Sequence, residues 1–251
     1  SRNLPNTKFK NSYLNFIASH DGIGMRPTEG ILNKKSLNNF LKRLKKNGSK
    51  FSYRKVQNKS RKVYEANITV FDALKKSDTD PNGKFYLERY VSAHSIMISF
   101  EGIPALYLNS LFGKSNDEAK YIITGNNRDV NRYKWNYKDI SKKLENKNSK
   151  QSVFYQKISN LLFIKRNQKA FHPNASRHNI NLGSKIFSFK RISINKKQTI
   201  ICITNLSSSI QKVPLNKAYH NWNNLIGSKI EIKNKLLILK PYETIWLSNK
   251  R

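Results

Sequence analysis

The apolar residues of this chain change rhythm at about residue 171, and that change limits its fold more than any other feature. Before it, short apolar runs alternate with segments of helical spacing. Residues 13–17, Tyr-Leu-Asn-Phe-Ile, read as a buried strand that delivers Ser19, His20 and Asp21 at its carboxyl end. Leu37, Phe40, Leu41 and Leu44 recur at helical spacing over 36–47, and Asn47-Gly48 ends that helix. Phe51-Ser52-Tyr53 and Val63-Tyr64 flank a polar, basic turn and predict a hairpin. Asp78-Thr79-Asp80-Pro81-Asn82-Gly83 is turn chemistry ahead of a helix over about 84–99. Gly102-Ile103-Pro104 then leads into a second short apolar strand, Ala105 to Leu108. Residues 114–150 are polar and Asn-rich, which suits long loops with short helices. Val153, Phe154, Ile158, Leu161 and Leu162 mark the core side of a helix over 152–169.

Beyond residue 171 the runs are short and closely spaced: Ile186 to Phe189, Thr199 to Thr204, Ile210 to Val213, Lys229 to Ile232, Leu236 to Leu239 and Thr244 to Leu247. That spacing predicts a small antiparallel β domain. The expected fold class is therefore α/β. Residues 1–170 read as the carboxy-terminal portion of a (β/α)8 barrel, and residues 171–251 as an antiparallel β-sandwich. A whole barrel takes about 250 residues, and only two barrel-type strands are visible here, so the barrel is expected to be incomplete.

Charge invites a different reading. Lys and Arg number 48 against 15 Asp and Glu, a formal +33, and such a field attracts nucleic acid or anionic membrane surfaces. The lysines are spread along the whole chain, however, and the densest cluster, Lys42-Arg43-Leu44-Lys45-Lys46, lies on the solvated face of the 36–47 helix. No zinc-finger spacing, RNP-type aromatic motif or heptad zipper accompanies them. No nucleic-acid partner is expected. The apolar stretches are too short to span a bilayer, so no membrane partner is expected either. A single cysteine, Cys202, excludes an internal disulfide framework and fits a reducing, cytoplasmic compartment. No signal-peptide pattern opens the chain.

Several tempting motifs fail. Gly113-Lys114-Ser115 lacks the earlier glycine of a P-loop, because Leu108 stands there. The Asp78–Gly83 turn begins like a calcium loop, but Arg89 stands where the bidentate Glu belongs. The five histidines have no ligand-like spacing, so no metal is expected. Asn67-Ile68-Thr69 and Asn174-Ala175-Ser176 match the glycosylation pattern by chance in a chain not expected to be secreted.

The run Asn15-Phe16-Ile17-Ala18-Ser19-His20-Asp21-Gly22-Ile23-Gly24-Met25-Arg26-Pro27 resembles the fourth conserved region of α-amylase-type glycoside hydrolases (family 13), in particular the sucrose phosphorylase and glucosylglycerate phosphorylase branch. Further matches follow in the family's order: Ile68 to Leu74, Phe100 to Gly113, Asn116-Asp117, Asn127-Arg128-Asp129-Val130-Asn131-Arg132 with Lys134-Trp135, Ala170-Phe171-His172-Pro173 and Leu239 to Glu243. The resemblance implies a retaining glucosyl transfer, which needs a carboxylate nucleophile, a carboxylic acid and an oxocarbenium-like transition state between them. It also implies that Asp21 is the superfamily's third carboxylate, the transition-state stabiliser, and that His20 donates to a hydroxyl of the glucosyl ring.

The same resemblance sends Arg132 toward the acceptor or phosphate, against the plainer reading of an arginine that pins its loop through a carboxylate. Arg26, Tyr64, Glu65 and Asn67 fall on loops bordering the acceptor pocket. Glu101, just before Gly-Ile-Pro, reads as a loop-packing residue. The nucleophilic Asp and acid/base Glu belong to earlier strands, expected before Ser1, so the chain alone is expected to be inactive.

The implied activity is transfer of a glucosyl unit between an α-glucoside and inorganic phosphate, with phosphate as co-substrate and no cofactor. The α-glucoside would be of the sucrose, sucrose phosphate or glucosylglycerate type. A hydrolase of the same superfamily and a non-catalytic sugar-binding remnant stand as alternatives, and oligomeric state is not legible.

Overall fold

The structure is a computed structural model and describes residues 11–56, 60–227 and 229–250. In chain order its elements begin with β1 (Leu14–Asn15), β2 (Ile23–Gly24), α1 (Lys34–Lys46), β3 (Lys50–Lys55), β4 (Arg61–Asn67) and α2 (Val70–Lys75). There follow α3 (Tyr86–Ser99), β5 (Ile103–Pro104), α4 (Leu108–Leu111), α5 (Glu118–Thr124), α6 (Tyr137–Glu145) and α7 (Lys150–Arg166). The remaining strands are β6 (Ser176–Ile180), β7 (Ile186–Ile192), β8 (Thr199–Asn205) and β9 (Gln211–Pro214). Last come β10 (Asn223–Asn224), β11 (Glu231–Lys233), β12 (Leu236–Leu239) and β13 (Thr244–Ser248).

The chain divides into two compact units that interleave along the sequence. Of the described residues, one unit holds those within 16–86 and 106–156; the other holds those within 11–15, 87–105 and 157–250.

In the first unit, the expected hairpin forms as β3 and β4, and β2 adds to it in the order β2-β4-β3, all antiparallel. Residues 57–59 of its turn lie outside the described residues. Helix α1 starts at Asn33, whose side chain accepts the Ser36 N–H at 2.9 Å, and stops at Gly48, where φ is +95°. Its apolar stripe, Leu37, Phe40, Leu41 and Leu44, packs with Met25, Phe51, Val63, Ala66, Ile68 and Ala73. Each fully buried aliphatic side chain of that set contributes roughly 1.5–3 kcal/mol. Asp80, in the turn that resembled a calcium loop, accepts the main-chain N–H groups of Lys84 and Phe85.

In the second unit, β1 and β5 pair in parallel, Leu14 with Ile103 and Asn15 with Pro104. The carboxy-terminal residues form a five-stranded sheet, β10-β13-β8-β7-β6, and a three-stranded sheet, β11-β12-β9, both antiparallel. Ile186, Ile201, Ile203, Ile245 and Leu247 of the larger sheet share one core with Val213, Leu237 and Leu239 of the smaller. Buried Arg191 on β7 donates to three main-chain carbonyls, those of Ser99, His172 and Ala175. Glu101 pairs with Arg177 at 2.5 Å; burial opposes ionisation there, but the Arg177 hydrogen bond holds the carboxyl below its usual range.

Among the described residues no closed barrel is present; the chain is a mixed α/β fold with one parallel strand pair and carboxy-terminal antiparallel sheets. Two strands depart from the sequence reading. The second barrel-type strand lies earlier than the apolar run suggested. Ile103 N and Ala105 N still donate to the β1 segment, but the chain then turns, and Leu108 opens α4. Strand β6, Ser-Arg-His-Asn-Ile, has too few apolar residues to show in the sequence, because it is the edge of its sheet.

Candidate functional site

Four residues, Ser19 to Gly22, make a tight loop closed by two main-chain hydrogen bonds: Ser19 N to Gly22 O at 3.0 Å and Gly22 N to Ser19 O at 3.1 Å. His20 and Asp21 are its tip. Only glycine suits the fourth position, because φ is +108° and a Cβ would lie 2.3 Å from the Ala66 carbonyl oxygen. The loop is held from both sides. Asn67, the last residue of β4, donates to Asp21 O at 2.7 Å, and Asn131 donates to Ser19 O at 2.8 Å.

Three cationic or potentially cationic groups converge on one oxygen of Asp21. Arg132 Nη2 donates to Oδ1 at 2.5 Å, His20 Nε2 lies 3.3 Å from it and Arg128 Nε lies 3.5 Å away. The other oxygen, Oδ2, accepts no hydrogen bond from a described residue. The carboxylate is thus oriented through one oxygen and open at the other. Its side chain is 23% exposed.

Arg128 reaches beyond Asp21. Its Nε and Nη2 donate to Glu65 Oε2 and Oε1 at 3.0 and 2.7 Å, a two-bond fork, and Nη2 also donates to Tyr64 Oη at 3.3 Å. The Glu65 hydrogen bonds push the arginine's pKa further above its ordinary value, so it is a permanent cation. Arg132 Nε is buried and has no hydrogen-bond partner among the described residues. Its main-chain carbonyl accepts from Lys120 Nζ at 3.0 Å.

Behind this cluster Tyr107 Oη donates to Asn131 O at 2.9 Å, and burial pushes the phenol up. Asn109 donates to the same carbonyl at 3.0 Å and accepts Trp135 Nε1 at 2.7 Å. The His20 ring meets the Tyr107 ring edge-on, centroids 6.4 Å apart.

Of the residues singled out in the sequence, Asp21, His20, Arg132, Tyr64, Glu65 and Asn67 belong to one connected network. Arg26 does not join it. It opens a short 3-10 turn, Arg26–Thr28, and its charge acts on Glu29, which pairs with Arg54. Arg128 was given no role from the sequence, and neither were Asn131, Tyr107 and Trp135. The one available signal was that Arg128 and Arg132 stand four apart in the same family-like run. Among the described residues no group of three or more His, Cys, Asp and Glu could hold a metal ion, and no helix is long and apolar enough to cross a membrane. A cavity of about 840 Å³ in the other unit, lined by Leu162, Phe171 and Ile194 among others, carries no carboxylate and has no part in this network.

The glucosylglycerate phosphorylase of Escherichia coli (strain K12) is 29% identical to this chain over 254 residues, covering 98% of the chain and 43% of that protein. The sucrose phosphorylase of Agrobacterium vitis is 28% identical over 127 residues, covering 51% of the chain and 23% of that protein. The chain is homologous to the glucosylglycerate and sucrose phosphorylases of the α-amylase superfamily. It spans 43% of the length of the Escherichia coli phosphorylase, so the match is to part of such an enzyme. The fold agrees in part. The crystal structure of sucrose 6F-phosphate phosphorylase from Thermoanaerobacter thermosaccharolyticum superposes with a TM-score of 0.64 at 19% identity, covering 82% of this chain and 39% of that one. No protein-family model matches the chain.

Proposed function

We propose that the chain is the carboxy-terminal part of a retaining α-glucoside phosphorylase. Residues 1–170 supply the last portion of its (β/α)8 barrel with the acceptor-site loops, and residues 171–251 its small all-β domain. The observation that carries the reading is the state of Asp21, with Oδ1 held by Arg132 and Oδ2 open to a ligand. A carboxylate so fixed offers its free oxygen to sugar hydroxyls, and its charge favours the oxocarbenium-like transition state over the neutral glucoside.

In this reading a nucleophilic carboxylate and an acid/base carboxyl come from earlier barrel strands of the same enzyme. The acid protonates the leaving oxygen as the nucleophile forms a glucosyl ester. A phosphate oxygen then attacks the anomeric carbon, the ester C–O bond breaks, and α-glucose 1-phosphate leaves. Arg132, whose side chain is one-third exposed beside Asp21, suits an oxygen of phosphate or of the acceptor. His20 serves a glucosyl hydroxyl, while Tyr64 and Glu65 border the acceptor. Phosphate is the co-substrate, and no cofactor takes part.

The complete reading frame, given sucrose, sucrose phosphate or glucosylglycerate with phosphate, should release glucose 1-phosphate, and Asp21→Ala should lower that turnover by orders of magnitude. Free glucose independent of phosphate would favour a hydrolase instead. Wild-type turnover in the Asp21→Ala enzyme would remove the role given to Asp21.

A further inference from the structure

We propose that Arg128 is a positioning residue that fixes the spacing between Asp21 and Glu65, and thereby the alignment of the glucosyl donor with its acceptor. The proposal rests on the phosphorylase reading, in which Asp21 faces the glucosyl unit and Glu65 borders the acceptor.

One guanidinium serves both carboxylates. Its Nε and Nη2 form a planar fork on Glu65, and the same Nε faces Asp21 Oδ1 at 3.5 Å. A fork of this kind sets both distance and plane, which a lysine ammonium cannot do. The fork is itself anchored. Arg128 N donates to Asn126 Oδ1 at 3.1 Å, and the neighbouring Asn127 side chain donates to Phe51 O on β3 at 3.0 Å, tying the arginine's turn to the hairpin that carries Glu65. Asn67 Nδ2 completes the frame, donating to Asp21 O at 2.7 Å and to Glu65 Oε2 at 3.3 Å. Arg132 cannot take over this work, because its hydrogen bond goes to Asp21 and none goes to Glu65.

The chemistry says what loosening the frame does. The glucosyl ester can be opened by a phosphate oxygen, giving glucose 1-phosphate. It can also be opened by water, which gives glucose and leaves a proton on the basic carboxylate. Phosphate needs an aligned acceptor side, and misplacement by about 1 Å costs on the order of a hundredfold in rate. Water needs far less alignment. Removal of Arg128 therefore shifts the products from glucose 1-phosphate toward glucose.

The test uses the complete enzyme at fixed phosphate and reads the ratio of glucose 1-phosphate to free glucose. That ratio does not depend on how much of a variant is folded. Arg128→Ala and Arg128→Lys should each lower it about tenfold or more. Glu65→Gln, which keeps the shape and removes the charge, should lower it in the same direction, and the Arg128→Ala/Glu65→Gln pair should be no worse than Arg128→Ala alone. If Arg128→Ala does not fold, Arg128→Lys and Glu65→Gln carry the test. A wild-type ratio in Arg128→Lys together with additive effects in the pair overturns the proposal while leaving the phosphorylase reading intact. A wild-type enzyme that yields only glucose removes that reading, and the role of Arg128 with it.

Discussion

The side-chain amide of Asn67 donates a 2.7 Å hydrogen bond to the main-chain carbonyl of Asp21, and its own carbonyl oxygen accepts the Ser52 hydroxyl at 2.8 Å. The residue is fully buried. Strand β4 thus sets the backbone of the carboxylate loop through its last side chain. Asn67→Ala removes both of these bonds and the longer one to Glu65 Oε2, and leaves their polar partners short of a bond, at a cost of about 1–3 kcal/mol. Denaturant unfolding should show that loss, and turnover should fall with it. Wild-type stability and turnover together would mean that the loop is held by Asn131 alone.

The loop has a second fixed point. At Gly22 the backbone is in a conformation that L side chains rarely adopt, and a Cβ would press on Ala66 O and on Asn67 Cα at 2.9 Å. Both obstacles are backbone, so nothing can swing aside. Gly22→Ala should destabilise by roughly 1–3 kcal/mol from strain alone and displace Asp21, lowering turnover even in the folded fraction. Active-site titration separates the two effects, and a variant with normal turnover per folded molecule would contradict the close approach.

How far the sequence carried the fold depends on where each residue's partners lie. The β3–β4 hairpin and α1 were legible because their apolar residues repeat with the period of the element they build, and the partners are close in sequence. Strand β5 was displaced because Ala105 to Leu108 is apolar enough for a strand, while the switch to helix at Leu108 is dictated by contacts beyond that run. In the site, Asp21 and His20 were legible because family resemblance attaches to a contiguous run. Arg128 was not, because two arginines four apart look alike until one is seen to bind Glu65, 63 residues away, and the other Asp21, 111 residues away. Sequence shows the charges; only the fold pairs them.

Arg191 is buried without a carboxylate within salt-bridge reach among the described residues, and its guanidinium serves main-chain carbonyls of Ser99, His172 and Ala175. Arg191→Met matches much of its volume but leaves these carbonyls unpaired, and should cost about 3 kcal/mol. Arg191→Lys reaches fewer of them and should recover less than half of that. Chemical denaturation of both variants checks the order, and a Met variant as stable as wild type would show that water fills the gap.

Strands β1 and β5 pair with each other and, among the described residues, with no other strand. Leu14 and Ile103 are 63% and 51% exposed. Parallel strands are ordinarily covered on both faces and both edges. The chain expressed by itself should therefore bind a hydrophobic dye and associate on a sizing column despite its +33 charge, whereas a longer phosphorylase of the kind proposed above should do neither. A monodisperse chain with a sharp cooperative melt would contradict this.

His94 gives a prediction that pH can test. The imidazole lies inside α3, stacked on Tyr90 with centroids 4.4 Å apart, and its Nδ1–H donates to Tyr90 O at 2.9 Å. Burial lowers its pKa from 6.5 to about 4, against the opposing effect of that hydrogen bond. In the unfolded chain the group titrates at the ordinary value, so between pH 6.5 and 4 the unfolded state holds a proton that the folded state lacks. Stability from the neutral histidine is complete above pH 6.5 and is lost as pH falls through that window, by about 3 kcal/mol in all. His94→Leu should remove this part of the acid dependence. The imidazole signal followed by nuclear magnetic resonance should show its midpoint near 4, and a midpoint near 6.5 would mean that the ring reaches solvent and that its burial contributes nothing to the acid sensitivity of the fold.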